Sequence, residues 1–208
     1  MNKEYFSVIK LDKTFGATVR DVKLSKVTEG EVKELYSLWL RHSLLIFPDQ
    51  HLSTKEQIEF AKLFGVMEFD LAPISNVRSD GSIRDPVDDD IVKSLRGNME
   101  WHHDSTYMPI QAKGSVFTAH TVPADGGETG WADMTAAYEA LDPKMKDKVE
   151  GLRAYHSYVY SQSKYKHKPQ EESEFSGYGF DVDPHPFRPL VKTHSETGRK
   201  SLLIGRHA

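Results

Sequence analysis

The spacing of apolar and polar residues in the first third of the chain predicts a mixture of strands and helices. Residues 5–11 alternate between apolar and polar side chains, and the short apolar run 44–47 ends at a proline, so each predicts a short strand. Thr28 and Ser53 are each followed three residues later by Glu. This capping-box pattern marks the start of a helix, so one helix is predicted from each of these residues.

Beyond residue 100 the pattern favours β structure on a mixed α+β background. Strands are predicted at 116–122, at 152–160, from Phe187 onwards and in SLLIG, with a helical stretch around Pro143. The stretch SDGSIRDPVDDD (79–90) is predicted to be an acidic loop. The polar stretch 161–184 lacks apolar periodicity and is interpreted as a lid or a disordered segment. No repeat or second domain is evident, so residues 1–208 are predicted to form a single domain.

Composition excludes several classes of protein. The 27 Lys and Arg residues are outnumbered by 31 Asp and Glu, which gives a net charge of -4 and makes nucleic-acid binding a poor hypothesis. No apolar window has the length of a membrane span or a signal peptide, so we expect a cytoplasmic protein with no membrane partner. Cysteine is absent, so any metal ion must be bound by imidazole and carboxylate groups.

The segment NMEWHHDSTY (98–107) contains a candidate metal-binding pair. On an extended strand, residues two apart point to the same side, which would bring His102 and Asp104 together and direct His103 to the other side. One imidazole and one carboxylate form two thirds of the facial triad that binds Fe(II) in many oxygenases. The spacing alone is weak evidence, because ten His and 16 Asp would produce roughly 0.8 such pairs by chance. The alternative is that His102 and His103 are structural histidines, which form hydrogen bonds within the core or at a strand end.

Four segments of the sequence strengthen the hypothesis that His102 and Asp104 bind a metal ion. They are SLLIFPDQHLSTKEQIEFAKLFG (43–65), WHHDSTY (101–107), AKGSVFTAHTVPADGGETGWADMTAAYEALD (112–142) and HPFRPLVKTHSETGRKSLLIGRHA (185–208). Together they resemble the TauD/TfdA family of Fe(II)- and 2-oxoglutarate-dependent dioxygenases, and most closely its 2,4-dichlorophenoxyacetate branch. The resemblance implies a double-stranded β-helix, or jelly-roll, core with flanking helices.

The resemblance also implies roles for individual residues. His102 and Asp104 would be catalytic iron ligands, and Thr129 would bind the carboxylate of 2-oxoglutarate through its hydroxyl. Asn98 and His207 fall where the family contacts its substrate. Without the resemblance, Thr129 would be interpreted as a turn residue, Asn98 as a loop residue and His207 as a histidine at the chain end. Trp101 is interpreted as a core residue.

The resemblance is incomplete at the C-terminal end. In the family, the second iron-binding His and the Arg that pairs with 2-oxoglutarate follow the region that matches SLLIGRHA, and this sequence stops at Ala208. None of the histidines after Asp104 matches the second ligand. The sequence therefore predicts that the C-terminal part of the fold is missing from these 208 residues.

The implied activity is hydroxylation of a small anionic compound, with Fe(II) as cofactor and 2-oxoglutarate and O2 as co-substrates. An aryloxyalkanoate such as 2,4-dichlorophenoxyacetate is the first choice of substrate, and taurine or another alkylsulfonate is the second. Lys93, Arg96 and Lys113 are candidate cations for the substrate anion. A non-catalytic binding relative without the second iron ligand is the alternative from another class, while a zinc hydrolase is disfavoured because no H-E-x-x-H motif is present. The family also suggests a homo-oligomer.

Overall fold

The computed structural model describes residues 5–68, 71–164 and 183–208. In chain order, the helices and strands are β1 (Ser7–Lys10), β2 (Ala17–Arg20), α1 (Glu29–His42), β3 (Leu45–Ile46), α2 (Thr54–Lys62), α3 (Asp90–Gly97), α4 (Met134–Glu139), α5 (Pro143–Val149), β4 (Arg153–Tyr155), α6 (Tyr158–Ser163), β5 (Phe187–Pro189), β6 (Val191–Thr193) and β7 (Lys200–Leu202). The mixed α+β class predicted from the sequence is confirmed.

The chain folds into two compact units, each assembled from three separate stretches. The first unit contains the described residues of 5–71 together with 114–136 and 194–199. The second contains 72–113, the described residues of 137–193, and 200–208. The chain therefore passes from one unit to the other at five points along its length.

The first unit is built on a three-stranded sheet with α1 and α2. Strand β2 is central, pairing antiparallel with β1 and parallel with β3. Both helices begin at the predicted capping boxes, since the Thr28 and Ser53 hydroxyls accept hydrogen bonds from the backbone N–H groups of Glu31 and Glu56. The buried core lies between these elements and consists of Phe6, Val19, Leu24, Leu35, Leu38, Leu52 and Phe60.

Two later stretches of the chain complete the first unit. Val116 packs against the apolar core, and its carbonyl accepts a 3.0 Å hydrogen bond from Gln57 Nε2. In the turn at 194–199, Glu196 accepts a 2.6 Å hydrogen bond from the Tyr36 hydroxyl, and Arg199 donates to Leu40 O at 3.3 Å. Residues more than 150 positions apart in sequence are thus held together in this unit.

The second unit contains two small sheets and three whole helices, α3, α5 and α6, in its described residues. Strands β4 and β5 pair antiparallel, as do β6 and β7, so the predicted strand, turn and strand from Phe187 to SLLIG are confirmed. Helix α3 was not predicted. It begins at the end of the acidic loop, where the Asp89 carboxylate accepts hydrogen bonds from Ile91 N and Val92 N. The acidic run therefore serves as a helix N-cap, where negative charge is favoured.

Two strand predictions are wrong. Residues 116–122 have no regular structure and pair with no strand in the described part of the chain, so a β-rich composition was not sufficient for a strand there. Residues 152–160 form only the short β4, because Ser157 caps α6 through its hydroxyl and turns the chain into a helix. The predicted lid at 161–184 begins with the last turn of α6, and its residues 165–182 lie outside the described residues.

Among the described helices, none combines the length and apolar character that crossing a membrane requires.

The capping box of α1 gives a stability prediction. Replacing Thr28 with Ala removes the acceptor for Glu31 N and should lower the free energy of unfolding by about 1 kcal/mol, whereas Thr28→Ser should keep most of it. Urea unfolding of the two variants beside the parent measures the difference. Equal losses for Ala and Ser would show that the hydroxyl is not what stabilises this helix end.

Candidate metal centre

The candidate site lies in the second unit, on the loop formed by residues 101–108, which follows α3. This 101–108 loop is not the extended strand expected from the sequence. Ser105 has φ +50°, in the left-handed region that non-glycine residues rarely occupy, and its carbonyl accepts a 3.0 Å hydrogen bond from Met108 N. The chain turns directly after Asp104, which ends any strand at that point.

His102 and Asp104 nevertheless face each other, as the spacing predicted. His102 Nε2 lies 3.2 Å from Asp104 Oδ1. The other ring nitrogen, Nδ1, lies 2.7 Å from the carbonyl oxygen of Glu100. A carbonyl can only accept, so Nδ1 carries a proton and donates it to Glu100 O. His102 Nε2 is therefore the nitrogen that is directed at the carboxylate.

The two groups change each other's pKa in opposite directions. The hydrogen bond to Asp104 raises the pKa of His102 in spite of its partial burial. The hydrogen bond from His102 lowers the pKa of Asp104. Both shifts favour the charged forms of the two groups.

This geometry fits the family's iron. Two neighbouring ligands of an octahedral ion with bonds of about 2.1 Å lie about 3 Å apart, which is close to the observed separation of 3.2 Å. The Glu100 carbonyl provides the outer hydrogen bond that orients metal-binding imidazoles. Within the described residues, no group of three or more His, Asp or Glu side chains is arranged to hold a metal ion. His102 and Asp104 thus form a two-residue site.

His207 lies next to this pair. Its ring is 2% exposed, and its centroid is 5.5 Å from that of His102. His207 Nδ1 lies 2.9 Å from the Ser161 hydroxyl, which itself donates to Tyr158 O at 2.7 Å. The hydroxyl has one hydrogen, so His207 Nδ1 must be the donor and Nε2 keeps its lone pair. Burial, together with the charge of His102, lowers the pKa of His207 to about 3.

Two tyrosines extend the cluster away from the metal pair. The Tyr107 ring lies 4.9 Å from His207 and 4.8 Å from Tyr158, which is 3% exposed. Burial raises the pKa of Tyr158, in spite of hydrogen bonds with Gln162 and with Asn98, the C-cap of α3, which lower it. The Asn98 Oδ1 atom is buried, and in the described part of the chain it has no hydrogen-bond partner. The structure therefore brings Asn98 and His207 to one cluster.

The remaining predicted residues are placed differently. Thr129 is exposed, in a segment without regular structure that belongs to the first unit. Trp101 was expected in the core but is 66% exposed, so that interpretation is wrong. Its carbonyl, not its ring, is the part that is engaged, because it accepts a 3.0 Å hydrogen bond from Arg206 N.

Sequence analysis missed several residues around the site. Ser161 and Arg206 reach it from α6 and the C-terminal segment, and Arg206 Nη2 donates to Ser161 O at 2.7 Å. Arg188 on β5 donates to two carbonyls of the 101–108 loop. His156, one of the histidines that do not match the second iron ligand, is 2% exposed. Neither of its ring nitrogens has a hydrogen-bond partner among the described residues. These contacts join positions 45 or more residues apart, where no local pattern indicates them.

Comparison with known proteins identifies the family of the chain. The family model described as taurine catabolism dioxygenase TauD, TfdA family, matches residues 7–208. The chain belongs to the TauD/TfdA family. A relative from Sphingobium herbicidovorans named (S)-phenoxypropionate/alpha-ketoglutarate-dioxygenase is 57% identical over 205 residues, covering 98% of this chain and 71% of the relative.

Two further members of the TauD/TfdA family are informative. The alpha-ketoglutarate-dependent 2,4-dichlorophenoxyacetate dioxygenase of Cupriavidus pinatubonensis is 35% identical over 210 residues, covering 93% of this chain and 71% of the relative. The crystal structure of AAD-2 in complex with Mn(II) and N-oxalylglycine has a TM-score of 0.87 and 34% identity, covering 98% of this chain and 72% of that one. The aryloxyalkanoate branch inferred from the sequence is confirmed.

The buried His156 gives a prediction for stability against pH. Burial, with the charges of Arg188 and His103, lowers its pKa to about 4, below the value near 6.5 of the unfolded chain. Protonation therefore favours unfolding. This contribution to stability is complete above pH 6.5 and is lost as the pH falls towards 4, by up to about 1.4 kcal/mol per pH unit.

His156→Phe should flatten this dependence. Because neither nitrogen has a described partner, an apolar ring of similar shape should cost little at pH 7.5 and should be more stable than the parent at pH 5. Denaturant unfolding at both pH values checks this. A variant as sensitive to acid as the parent would contradict it.

The close approach of Gly205 to the backbone of His102 gives a further stability prediction. A Cβ atom at Gly205 would lie 3.0 Å from His102 Cα and 3.2 Å from Trp101 O, which are backbone atoms with little freedom to move. Gly205→Ala should therefore lower the free energy of unfolding by about 1–3 kcal/mol, measured by urea unfolding. The exposed Ser195→Ala, which adds no atom, is the control. A fully stable Gly205→Ala variant would show that this approach is looser than described.

Proposed function

We propose that this chain is an Fe(II)- and 2-oxoglutarate-dependent dioxygenase that hydroxylates aryloxyalkanoates of the phenoxypropionate and 2,4-dichlorophenoxyacetate type. The observation that carries the proposal is the His102–Asp104 pair, whose ring tautomer is set by Glu100 O and whose facing atoms are 3.2 Å apart. The names of its relatives in the TauD/TfdA family support the choice of co-substrate and substrate.

The proposed ligands of Fe(II) are His102 Nε2 and a carboxylate oxygen of Asp104. Thr129 is proposed to bind a carboxylate of 2-oxoglutarate through its hydroxyl. When bound, Fe(II) with 2-oxoglutarate and O2 supplies the oxidising equivalents, and succinate and CO2 are the co-products. The chain itself must present two lone pairs to the metal and keep them correctly oriented, which the Nδ1–H bond to Glu100 O does for the imidazole.

The two ligands have different surroundings, which suggests how a substrate would approach. On the His102 side, the neighbouring residues His207 and Tyr158 are buried. On the other side, the Asp104 side chain is 72% exposed. We therefore propose that substrate enters from the Asp104 side and that its aryl ring packs against the cluster of His207, Tyr107 and Tyr158, where aromatic contacts are favourable.

A cation is needed for the substrate carboxylate, and the structure favours Arg206. Its Nη2 atom donates to Ser161 O at 2.7 Å, and the Ser161 hydroxyl contacts His207, which places Arg206 beside the cluster. Lys93, a candidate from the sequence, instead donates to Asp88 O at 2.9 Å near the start of α3. Neutral His207 offers an acceptor and an aromatic face, not a charge, so we propose that it contacts the aryl ring while Asn98 contacts a polar group.

The chemistry explains why such an oxygenase would cleave its substrate. Hydroxylation of the carbon next to an ether oxygen gives a hemiketal in a phenoxypropionate, and a hemiketal separates into a phenol and a keto acid. One oxygen atom of O2 enters the hydroxyl group and the other enters succinate. The protein's contribution to this outcome is to hold that carbon, and no other, beside the metal.

The alternatives have weaker support. A relative named alkylsulfatase is 32% identical, well below the 57% of the phenoxypropionate relative, so a sulfur-containing substrate ranks second. A non-catalytic binding role remains the contrasting hypothesis, and the assay below distinguishes it. We further propose the jelly-roll core of the TauD/TfdA family as the scaffold, because a solved relative with 34% identity has a TM-score of 0.87.

The proposed activity is tested by turnover of the purified chain. With Fe(II), ascorbate, 2-oxoglutarate and O2, (S)-2-phenoxypropionate should yield equal amounts of succinate and phenol. His102→Gln and Asp104→Asn should each reduce kcat/KM by at least about 100-fold, because each removes one proposed ligand. His120→Gln, an exposed histidine in the first unit, is the matched control and should retain activity.

The substrate panel separates the alternatives. Faster 2-oxoglutarate consumption with taurine than with either aryloxyalkanoate would replace the proposed substrate class. Stimulation only by a neutral or cationic compound would remove the need for Arg206. Binding of (S)-2-phenoxypropionate without turnover under any metal loading would favour the non-catalytic binding role.

A further inference from the structure

Arg188 makes two hydrogen bonds to the backbone that follows the metal pair. Its Nε atom donates to Thr106 O at 2.6 Å, and its Nη2 atom donates to Met108 O at 2.5 Å. The planar guanidinium presents these N–H groups in a fixed fork, which suits two acceptors on one loop. The two carbonyls lie two and four residues beyond Asp104.

The backbone between Asp104 and these carbonyls needs such support. Ser105, directly after the ligand, has φ +50°, and a residue in this region persists only where its surroundings enforce it. The Ser105 hydroxyl accepts from Ala112 N at the long distance of 3.3 Å, which is a weak constraint. The Arg188 bonds are the shorter ones and come from outside the loop.

The other end of the loop is anchored independently. Arg206 N donates to Trp101 O, and Gly205 approaches His102 closely, so the C-terminal segment holds the residue on the N-terminal side of the pair. Strand β5 holds the C-terminal side. Arg188 itself is held in place because β5 pairs with β4, with Arg188 opposite Ala154.

From these contacts we infer that Arg188 is a positioning residue for the metal site: it acts on Asp104 through the backbone of Ser105, Thr106 and Met108. The inference rests on the proposed function, since it assigns Asp104 as a metal ligand. Arg188 would touch neither metal nor substrate in this role. Its effect is to restrict the orientations of the carboxylate to those that face His102.

The test compares three variants of the full chain. Arg188→Met removes both hydrogen bonds but keeps an unbranched side chain. Arg188→Lys keeps the charge but cannot reproduce the two-pronged geometry. Arg153→Met is the matched control, because Arg153 on the neighbouring strand β4 donates to Phe187 O at 2.5 Å, within the β4–β5 sheet and not on the loop.

The first measurement is the affinity for Mn(II), in which electron paramagnetic resonance detects the free ion. We expect the dissociation constant of Arg188→Met to rise about tenfold or more, that of Arg188→Lys to rise less, and that of Arg153→Met to stay at the parent value. A purely structural arginine would lower the melting temperature without changing the affinity of the folded chain. Equal affinity of Arg188→Met and the parent would therefore overturn the inference.

Amide hydrogen exchange of peptides that cover residues 101–108 is the second measurement and needs no metal. Exchange in the loop should accelerate about tenfold in Arg188→Met and should not change in Arg153→Met. Unchanged exchange in Arg188→Met would also overturn the inference. If the parent itself bound no Mn(II), that result would count against the proposed function, and the exchange measurement alone would decide the role of Arg188 in ordering the loop.

Discussion

The candidate site depends on one hydrogen bond, from His102 Nδ1 to the carbonyl oxygen of Glu100. At 2.7 Å it is short, and it commits the only proton of a neutral imidazole to the backbone two residues earlier. The lone pair on Nε2 then has one direction, towards Asp104. Without this bond, the proton of the neutral His102 ring could lie on either ring nitrogen. The lone pair that faces Asp104 would then not be assured. The same backbone that forms the loop therefore also determines which atom of the imidazole is available.

Charge and burial are distributed unevenly around that pair. Two other histidines of the second unit, His207 and His156, are buried and kept neutral by their surroundings, and burial is the largest cause of the lowered pKa in both. Asp104, in contrast, is exposed and keeps its negative charge. A divalent cation bound at the proposed site would meet one carboxylate and one imidazole, with the neutral His207 beside them. This combination is typical of sites that bind iron through nitrogen and oxygen ligands.

The parts of the structure that were predictable from sequence are those determined by neighbours in the chain. The capping boxes at Thr28 and Ser53 each involve residues three apart, and both helices begin where the pattern placed them. The meeting of His102 and Asp104 was also predicted, although on a turn and not on a strand. In contrast, the segment 116–122 has the composition of a strand but finds no partner among the described strands, and pairing is a property of the whole fold.

Competing local signals explain another failure, and distance explains the rest. The aromatic residues at 158–160 favour a strand, but the hydroxyl of Ser157 caps a helix at the same place, and the cap prevails. Ser161 lies 46 residues from His207, and Arg188 lies 82 residues from Thr106. Neither contact can be predicted from the local pattern of apolar and polar residues. The family resemblance pointed to His102 and Asp104 as proposed metal ligands, whereas the contacts around them are visible only in the structure.

The division of the chain into interleaved stretches has a consequence for folding. The first unit is not complete until residues 194–199 have been synthesised, because Glu196 and Arg199 bind α1 from there. The strands and the two helices of the N-terminal segment therefore lack these contacts while more than a hundred further residues are synthesised. Closing such long loops is entropically costly and slow, so this part of the chain would be exposed to misfolding during synthesis. No single cut in the chain would release one of the two units intact.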